Sequence, residues 1–530
     1  MMNTPKKIEF GDFQTPHDLS REIAVFLRDS GETPEVIVEP TCGQGSFVIA
    51  AIEAFPRAQA LCAFDINHQY IEELRATLPR RNGRLTQIEC KDFFQVDWDR
   101  FLKGLGKQLL VIGNPPWVTN SALGALGGAN LPEKSNFQRH NGFAAKTGKA
   151  NFDISEWMLI RLTEALSRRP ACLAMLCKTS TARKVLRHAW VNKLNVGRCS
   201  LHLIDAQKHF AVSVDACLLI THTGVTEPTL TAPVYPGLSF NGKISTIGLA
   251  GKELVADTEE YLRLRDIEGI AYYTWRSGVK HDAASVMEFT REGRRLINGK
   301  HEECDLESTY LFPLLKSSDI ANGRTTPDKL VLITQKKPSD DTLTIATVAP
   351  KTWDYLTRHA ETLDKRKSII YEKRARFSVF GVGDYTFAPW KVAISGLYKT
   401  CRFEVVGQFR GKPTALDDTC YFIPCKSEDE ARFMCELLNS DICQRFLRSL
   451  VFFDSKRPIK IDILNRIDLM RIAEKLDKGD HAQEYLTHAG AFEHRQPQLV
   501  FEGSATYRTT TSKRRRKPHA VSQEELQKKG

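Results

Sequence analysis

The sequence predicts an α/β fold with a mostly parallel sheet over residues 1–225, followed by an α+β region over 246–493. Short apolar runs alternate with amphipathic stretches in the first region, and these runs end in acidic or Gly-containing turns. The alternation stops after a segment rich in Pro, Gly and Thr. We therefore predict a linker at 226–245 and a basic, mobile tail at 494–530.

The α/β domain begins with the strand "EVIVEP", which is followed by the turn "TCGQGS" and the apolar helix "FVIAAIEAF". "ALCAFDI" predicts the second strand and "HQYIEELRATL" its helix, while "QLLVIGNPPW" predicts a third strand. The amphipathic helix "DISEWMLIRLTEAL" and the strands "ACLAMLCKTS" and "DACLLITHTG" complete the region. Because helices separate most of these strands, the strands are expected to pair in parallel.

The region after the linker loses this regular order. "TWRSGVKHDAASVMEF", "STYLFPLLKSSDI", "DKLVLITQ" and "GDYTFAPWKVAISGLYK" predict short strands and turns, and "EARFMCELLNSDICQRFLRSL" predicts helix. This pattern indicates an α+β domain of irregular topology.

The composition excludes several classes of protein. The hydrophobic fraction of 42% and the charged fraction of 26% are typical of a globular chain. No apolar run reaches the ~18 residues of a membrane span, and the first residues lack the layout of a secretory signal, so we expect a cytoplasmic protein without a membrane partner. The 13 cysteines are scattered without a C-x-x-C pair, which favours buried free thiols over a metal site.

The net charge of +11 favours a polyanionic partner such as a nucleic acid. The run "KRRRK" at 513–517 contributes part of this surplus.

The stretch "VEPTCGQGS" combines an acid, Glu39, with Gly43 and Gly45 in a turn that opens a helix. Glycines allow the backbone to approach a ligand closely, although a tight turn without a ligand has the same pattern. Asp65 ends the next strand, where an acid can accept hydrogen bonds from ribose hydroxyls. The motif G-x-G-x-x-G is absent, so we expect a nucleoside cofactor without phosphates. S-adenosylmethionine fits this description and NAD does not.

Two further positions follow a possible strand in "IECKDFF". Asp92 is a candidate partner for the adenine amine of the cofactor, and Phe93 is a candidate for the flat side of the ring. An exposed aspartate in a turn is the alternative interpretation.

The tetrad "NPPW" lies where ligands bind in α/β sheets, beyond the carboxyl end of a strand. The side-chain oxygen of Asn114 and the carbonyl of Pro115 are two acceptors for the two hydrogens of one aromatic amine. Trp117 offers a flat face on which a base can stack. A rigid turn with a core tryptophan is the structural alternative.

Together, "FQTP", "EPTCGQGSF" and "NPPW" resemble the motifs of amino-DNA methyltransferases that modify adenine, in the gamma order common among bacterial restriction-modification enzymes. The resemblance implies a Rossmann-like S-adenosylmethionine-dependent domain followed by a target-recognition domain. It implies that the cofactor is bound by Thr15, Pro16, Glu39, Thr41, Gly43, Gly45, Asp65, Ile66, Asp92 and Phe93. It also implies that the target base is held by Asn114, Pro115, Pro116, Trp117 and Phe210.

This family acts on a base that has been flipped out of the DNA duplex, so the resemblance implies double-stranded DNA as a partner and a separate cognate restriction endonuclease as another. Two basic clusters are candidates for contacting DNA, and each could equally be a solvated surface: Lys373 and Arg374 in the first, Lys456 and Arg457 in the second. The predicted function is methylation of the adenine 6-amino group. The alternatives are methylation of RNA or of a protein glutamine, or a non-catalytic DNA-binding component.

Overall fold

The structure is a computed structural model of the chain. The residues it describes are 14–78, 85–106, 108–118, 153–271, 273–372 and 374–486. They all lie in one compact unit, Met1–Phe492. Lys373 and the predicted tail at 494–530 lie outside the described residues.

A ten-stranded sheet forms the first part of the unit, in the order β10-β9-β8-β6-β7-β5-β4-β1-β2-β3. Strands β1 to β5 pair in parallel, as the alternation of strands and helices predicts. The strands are β1 Val36–Glu39, β2 Ala60–Asp65, β3 Leu85–Cys90, β4 Leu109–Gly113, β5 Ala171–Lys178, β6 Val196–Ile204, β7 Ala216–Thr223, β8 Thr231–Tyr235, β9 Ser245–Ala250 and β10 Glu253–Val255.

Helices cover both faces of this sheet, and the central strands are therefore apolar on both sides. Alternate residues of β4 enter different cores: Leu109 and Val111 face one, whereas Leu110 and Ile112 face the other. Burial on both faces is typical of parallel sheets. The helices are α1 His17–Asp29, α2 Ser46–Ala54, α3 His68–Thr77, α4 Trp98–Lys103, α5 Ile154–Leu166, α6 Thr179–Val191 and α7 Ala206–Phe210.

The sheet continues beyond the region predicted for it. β7 pairs antiparallel with both β5 and β6, and β8 then pairs with β6 and β9. The prediction of a linker at 226–245 is therefore wrong for Thr231–Tyr235, which is a strand of the sheet. Ala232 and Val234 are buried while Thr231 is exposed, so the period of a strand is present but is obscured by the neighbouring Pro and Gly residues.

The second part of the unit contains two smaller sheets, with strand orders β11-β20-β17-β18 and β14-β13-β12-β16-β15-β19. Most of their pairings are antiparallel, and β15 pairs with β19 in parallel. The strands are β11 Arg276–Ser277, β12 Glu288–Glu292, β13 Arg295–Asn298, β14 Glu303–Cys304, β15 Leu311–Leu315, β16 Lys329–Leu332, β17 Trp390–Ser395, β18 Phe403–Val406, β19 Ala415–Leu416 and β20 Cys420–Cys425.

Helices complete this second part, which agrees with the predicted α+β composition. They are α8 Thr258–Leu264, α9 Ala284–Met287, α10 Ser317–Ala321, α11 Ile345–Val348, α12 Pro350–Arg358, α13 Ala360–Asp364, α14 Glu428–Asn439, α15 Asp441–Leu450, α16 Ile461–Leu464, α17 Leu469–Lys475 and α18 Gly479–Leu486. Among the described residues, no helix is long and apolar enough to span a membrane.

The two parts of the unit are joined by hydrogen bonds and an ion pair. The backbone N–H groups of Ala256 and Asp257 donate to the carbonyl of Ser449. Asp454 accepts hydrogen bonds from Thr179 and Arg183 at the start of α6, and the Arg183 guanidinium lies 4.4 Å from the centroid of the Phe452 ring. These contacts attach the C-terminal helices to the end of β5.

Candidate active site

Three predicted site residues lie together at the carboxyl edge of the central strands β4, β1 and β2, which are neighbours in the sheet. Glu39 is the last residue of β1, Asp65 is the last residue of β2, and Asn114 follows β4 directly. A Cβ atom added to Gly113 would lie 3.4 Å from Cγ of Glu39. The acid and the start of the NPPW tetrad are therefore adjacent.

The glycine turn between β1 and α2 has the left-handed backbone that glycine accommodates best. Gly43 has φ +50° and Gly45, the N-cap of α2, has φ +86°. A Cβ atom on Gly43 would lie 2.6 Å from Oε1 of Gln14, which itself accepts a hydrogen bond from the N–H of Gln44 at 3.0 Å. A side chain at position 43 would thus collide with the residue that holds the turn.

Asp65 binds this turn through its carboxylate. One oxygen accepts a hydrogen bond from the N–H of Gly43 and the other from the N–H of Asn67, both at 2.8 Å. The neighbouring Ile66 is 40% exposed, which is unusual for a large apolar residue beside a buried strand end. The turn, the acid and an exposed apolar side chain therefore lie together, and their contact with a nucleoside stays a prediction.

Glu39 is a buried carboxyl, only 2% exposed. Burial raises its pKa, the charge of Asp65 raises it further, and the backbone N–H of Val48 opposes the rise. Its Oε2 and the Thr41 hydroxyl are buried and make no hydrogen bond within the described part of the chain. Buried polar atoms normally have a partner, so this pocket fits a ligand that carries a cation and hydrogen-bond donors.

Asp92 and Phe93 lie after β3, but they differ from the expected adenine contacts. Asp92 caps a short 3-10 turn by accepting a hydrogen bond from the N–H of Phe94 at 2.9 Å. Phe93 is 4% exposed and packs against Trp98, with 4.8 Å between ring centroids. The ring of Phe93 therefore belongs largely to the core, and its contact with a cofactor stays a prediction.

Asn114 is oriented by the segment that precedes α1. Its Nδ2 donates to the hydroxyl of Thr15 at 3.2 Å, and Thr15 itself is buried. Since the nitrogen of the amide faces Thr15, its oxygen points away from that residue. Pro16 follows as the N-cap of α1, so the "TP" pair holds the amide of the NPPW tetrad in position.

The rings of Trp117 and Phe210, which the resemblance places on the two faces of one base, contact each other directly. Their ring centroids are 5.1 Å apart at an interplanar angle of 62°. A base stacked between two rings needs about 7 Å, because each stacked contact is about 3.5 Å. The observed spacing therefore leaves no room for a base between the two rings. Phe210 ends the short helix α7, and the next residue, Ala211, has φ +55°.

Two residues for which no role was predicted also lie at this edge, although Gln14 belongs to the "FQTP" motif. Gln14 supports the glycine turn, and Lys178, the last residue of β5, donates from Nζ to the carbonyl of Trp117 at 3.1 Å. The available signal for Lys178 was a charged residue at the carboxyl end of an otherwise apolar strand.

The predicted DNA-contacting residues that the structure describes lie in the second part of the unit. Arg374 and Lys456 are exposed, and Arg457 lies 3.6 Å from the carboxylate of Asp418. Exposure is compatible with a phosphate contact and equally with a solvated surface, so their role stays a prediction.

The ten-stranded α/β sheet has the Rossmann-like fold of methyltransferases, and the predicted site residues described above lie at its carboxyl edge. An N-6 DNA methylase family model matches residues 2–179. The Type II methyltransferase M.NspV of Nostoc sp. is 44% identical over 470 residues, which is 88% of this chain and 98% of M.NspV. M.XamI of Xanthomonas campestris pv. amaranthicola is 35% identical over 116 residues, which is 22% of this chain and 21% of M.XamI.

Among solved structures, the Type IIL restriction-modification enzyme MmeI in complex with DNA aligns over 87% of this chain and 65% of its own, with 12% identity and a TM-score of 0.48. The chain belongs to the Type II methyltransferases that carry an N-6 DNA methylase domain. The resemblance drawn from the three motifs is thereby confirmed, and with it a DNA adenine methyltransferase rather than the RNA, protein or non-catalytic alternatives.

Proposed function

We propose that this chain transfers a methyl group from S-adenosylmethionine to the 6-amino group of an adenine flipped out of double-stranded DNA. The observation that carries the proposal is the placement of Asn114. Its amide follows β4, is oriented by Thr15, and lies beside the buried Glu39 pocket.

S-adenosylmethionine supplies an activated methyl group on its sulfonium. Glu39 would accept a hydrogen bond from its ammonium group, and the Thr41 hydroxyl is a second polar contact in the same pocket. The backbone of the turn through Gly43 and Gly45 would contact its methionine part, while Asp65 and Ile66 would bind the ribose and the adenine. Thr15, Pro16, Asp92 and Phe93 remain the outer contacts of this proposed site.

The target amine would be held by two acceptors, the Asn114 side-chain oxygen and the Pro115 carbonyl. Hydrogen bonds from both amine hydrogens draw the nitrogen lone pair out of conjugation with the ring and fix its direction. Pro116 has no backbone N–H, so it cannot donate a hydrogen bond at this position, and the groups that face the amine are acceptors only. Catalysis then depends on positioning, which can contribute a large part of a rate enhancement.

The base itself would stack on Trp117, with Phe210 moved to its other face. Base–aromatic stacking is worth about 1–3 kcal/mol per base, which offsets part of the few kcal/mol needed to unpair and unstack an adenine. The second part of the unit, which follows β10, is proposed to contact the DNA through Arg374, Lys456 and Arg457, with Lys373 as a further candidate. A separate cognate endonuclease is the proposed biological partner.

The Asn114→Ala variant tests the proposal. We expect it to lose methyl transfer to plasmid DNA, measured as N6-methyladenine in digested nucleosides by mass spectrometry, while its Kd for S-adenosylmethionine stays within about threefold of wild type. The control is Asn322→Ala, which removes an exposed amide bonded to the carbonyl of Ser318. Retained transfer by Asn114→Ala would exclude the acceptor role of this side chain.

A further inference from the structure

Lys178 makes two contacts that connect separate parts of the chain at the NPPW tetrad. Its Nζ donates to the carbonyl of Trp117 at 3.1 Å and to Oδ2 of Asp153 at 2.6 Å. The Lys178 side chain is 23% exposed and that of Asp153 is 10% exposed. The ion pair is thus largely shielded from water, where charge-assisted hydrogen bonds are stronger than at the surface.

Asp153 is held firmly on its other side. Its Oδ1 accepts hydrogen bonds from the N–H of Ser155 at 3.0 Å and from the Ser155 hydroxyl at 2.5 Å, and so it caps α5. The next residue, Ile154, donates from its N–H to the carbonyl of Val118 at 2.9 Å. The carbonyls of Trp117 and Val118 are therefore both bound by groups fixed on β5 and α5.

These contacts determine the orientation of the peptide unit that carries the Trp117 ring. A lysine ammonium has three donors, so one group can bind the carboxylate and the carbonyl at the same time. Without it, the buried Asp153 carboxylate would lose its cation, and the carbonyl of Trp117 would lose a charged donor. The peptide unit after Trp117 would then lose a restraint on its orientation, and the Trp117 ring, which is 5% exposed and packs in the core, could shift with it.

We propose that Lys178, paired with Asp153, is a positioning residue that sets the Trp117 ring for stacking on the flipped base. The proposal rests on the proposed function, because it concerns a step that only a base-flipping methyltransferase has. Lys178 contacts neither the pocket of Glu39 nor the amide of Asn114 in any hydrogen bond of the described chain, so cofactor binding is expected to be independent of it.

The chain offers a closely matched control. Lys184 on α6 pairs with Glu156 on α5 at 2.6 Å, and Glu156 is 1% exposed. This pair also joins α5 to α6, and within the described chain Lys184 donates to Glu156 rather than to the NPPW tetrad. The Lys184→Met variant therefore removes the lysine from the buried Glu156 and leaves the hydrogen bond at the Trp117 carbonyl in place.

The experiment compares Lys178→Met, Lys178→Arg and Lys184→Met in the full-length protein. The DNA probe is a duplex carrying 2-aminopurine in place of the adenine that the wild-type chain methylates in its expression host. Fluorescence of 2-aminopurine reports flipping and stacking, an unmodified duplex gives kcat and KM, and calorimetry gives the Kd for S-adenosylmethionine.

We expect Lys178→Met to lower kcat about tenfold to a hundredfold, because a misplaced reacting group slows catalysis by about this factor. The variant should also change the 2-aminopurine fluorescence and leave the Kd for S-adenosylmethionine unchanged. Lys178→Arg should recover most of the rate, and Lys184→Met should match wild type in both readouts. If Lys178→Met proves too unstable to purify, Lys178→Gln keeps a neutral donor, and it should show a smaller loss of kcat together with an altered signal.

Wild-type kcat and fluorescence in Lys178→Met, or in Lys178→Gln where that variant replaces it, would overturn the proposal. An equal loss in Lys184→Met would also overturn it, because the effect would then come from helix packing. Failure of the proposed function is distinguishable, since the wild-type chain itself would then leave no N6-methyladenine in DNA.

Discussion

Replacement of the buried Glu39 by Gln is expected to separate the stability of the free protein from its affinity for the cofactor. The substitution keeps the shape of the side chain and removes its charge. In the free protein, burial and the charge of Asp65 raise the pKa of Glu39 above its ordinary value of 4.5. A bound ammonium group would reverse this effect, because an opposite charge favours the ionised carboxylate.

Glu39→Gln is expected to raise the stability of the free protein and to lower its affinity for the cofactor. Each unit by which the pKa of Glu39 is raised costs the folded wild-type protein about 1.4 kcal/mol once the carboxyl is ionised. This cost develops between pH 4.5 and the raised pKa and is constant above it. Glu39→Gln does not carry this cost, so its Tm without cofactor should equal or exceed that of wild type at neutral pH.

Cofactor affinity should fall in the same variant. A hydrogen bond to a charged group is worth about 1.5–3 kcal/mol, which predicts a Kd for S-adenosylmethionine about ten- to a hundredfold higher. Wild-type affinity should also weaken as the pH is lowered through the raised pKa of Glu39, and this dependence should be absent in the variant.

Calorimetry of S-adenosylmethionine binding, together with thermal unfolding in the presence and absence of cofactor, measures both quantities. Glu35→Gln is the control, because Glu35 precedes the same strand at its opposite end. An unchanged Kd in Glu39→Gln would refute the role of the buried carboxylate.

Two further substitutions test the fold around the site. Gly45→Ala should lower the free energy of unfolding more than Gly31→Ala. Both positions have positive φ, which costs an alanine about 1–2 kcal/mol, but only at Gly45 would the new Cβ collide with Leu74, at 2.3 Å, and this collision adds about 1–3 kcal/mol. Thermal unfolding of the two variants measures the difference, and equal Tm values would contradict the prediction. Asp454→Ala should lower the free energy of unfolding by up to about 3–5 kcal/mol, because it leaves the largely buried Arg183 without this partner. Thermal unfolding measures this loss, and an unchanged Tm would show that the contact contributes little.

The central strands and the placement of the site were predictable from the sequence. Continuous apolar runs identify buried parallel strands, and the carboxyl ends of such strands meet at one edge of a sheet. This is why Glu39, Asp65 and Asn114, which are far apart in sequence, could be expected together. The family resemblance implied that Trp117 and Phe210 lie on the two faces of one base, and no local pattern contains the direct contact between their rings.

Other features depend on contacts that no local pattern encodes. β11 pairs with β20, and β15 with β19, across long stretches of intervening chain. The Pro-rich composition around β8 concealed a strand, because composition indicates turns more readily than a short, half-buried strand. Lys178 could not be assigned a role from the sequence, since its partners Trp117 and Asp153 are known only from the fold.

The most direct test of the account is a map of modified bases in DNA from cells that express this chain. Single-molecule sequencing of host DNA, with an Asn114→Ala culture in parallel, should find N6-methyladenine at one recurring sequence in the wild-type culture and no such signal in the variant. Methylation of cytosine in place of adenine, or identical maps from the two cultures, would contradict the assignment of Asn114 to the adenine amine.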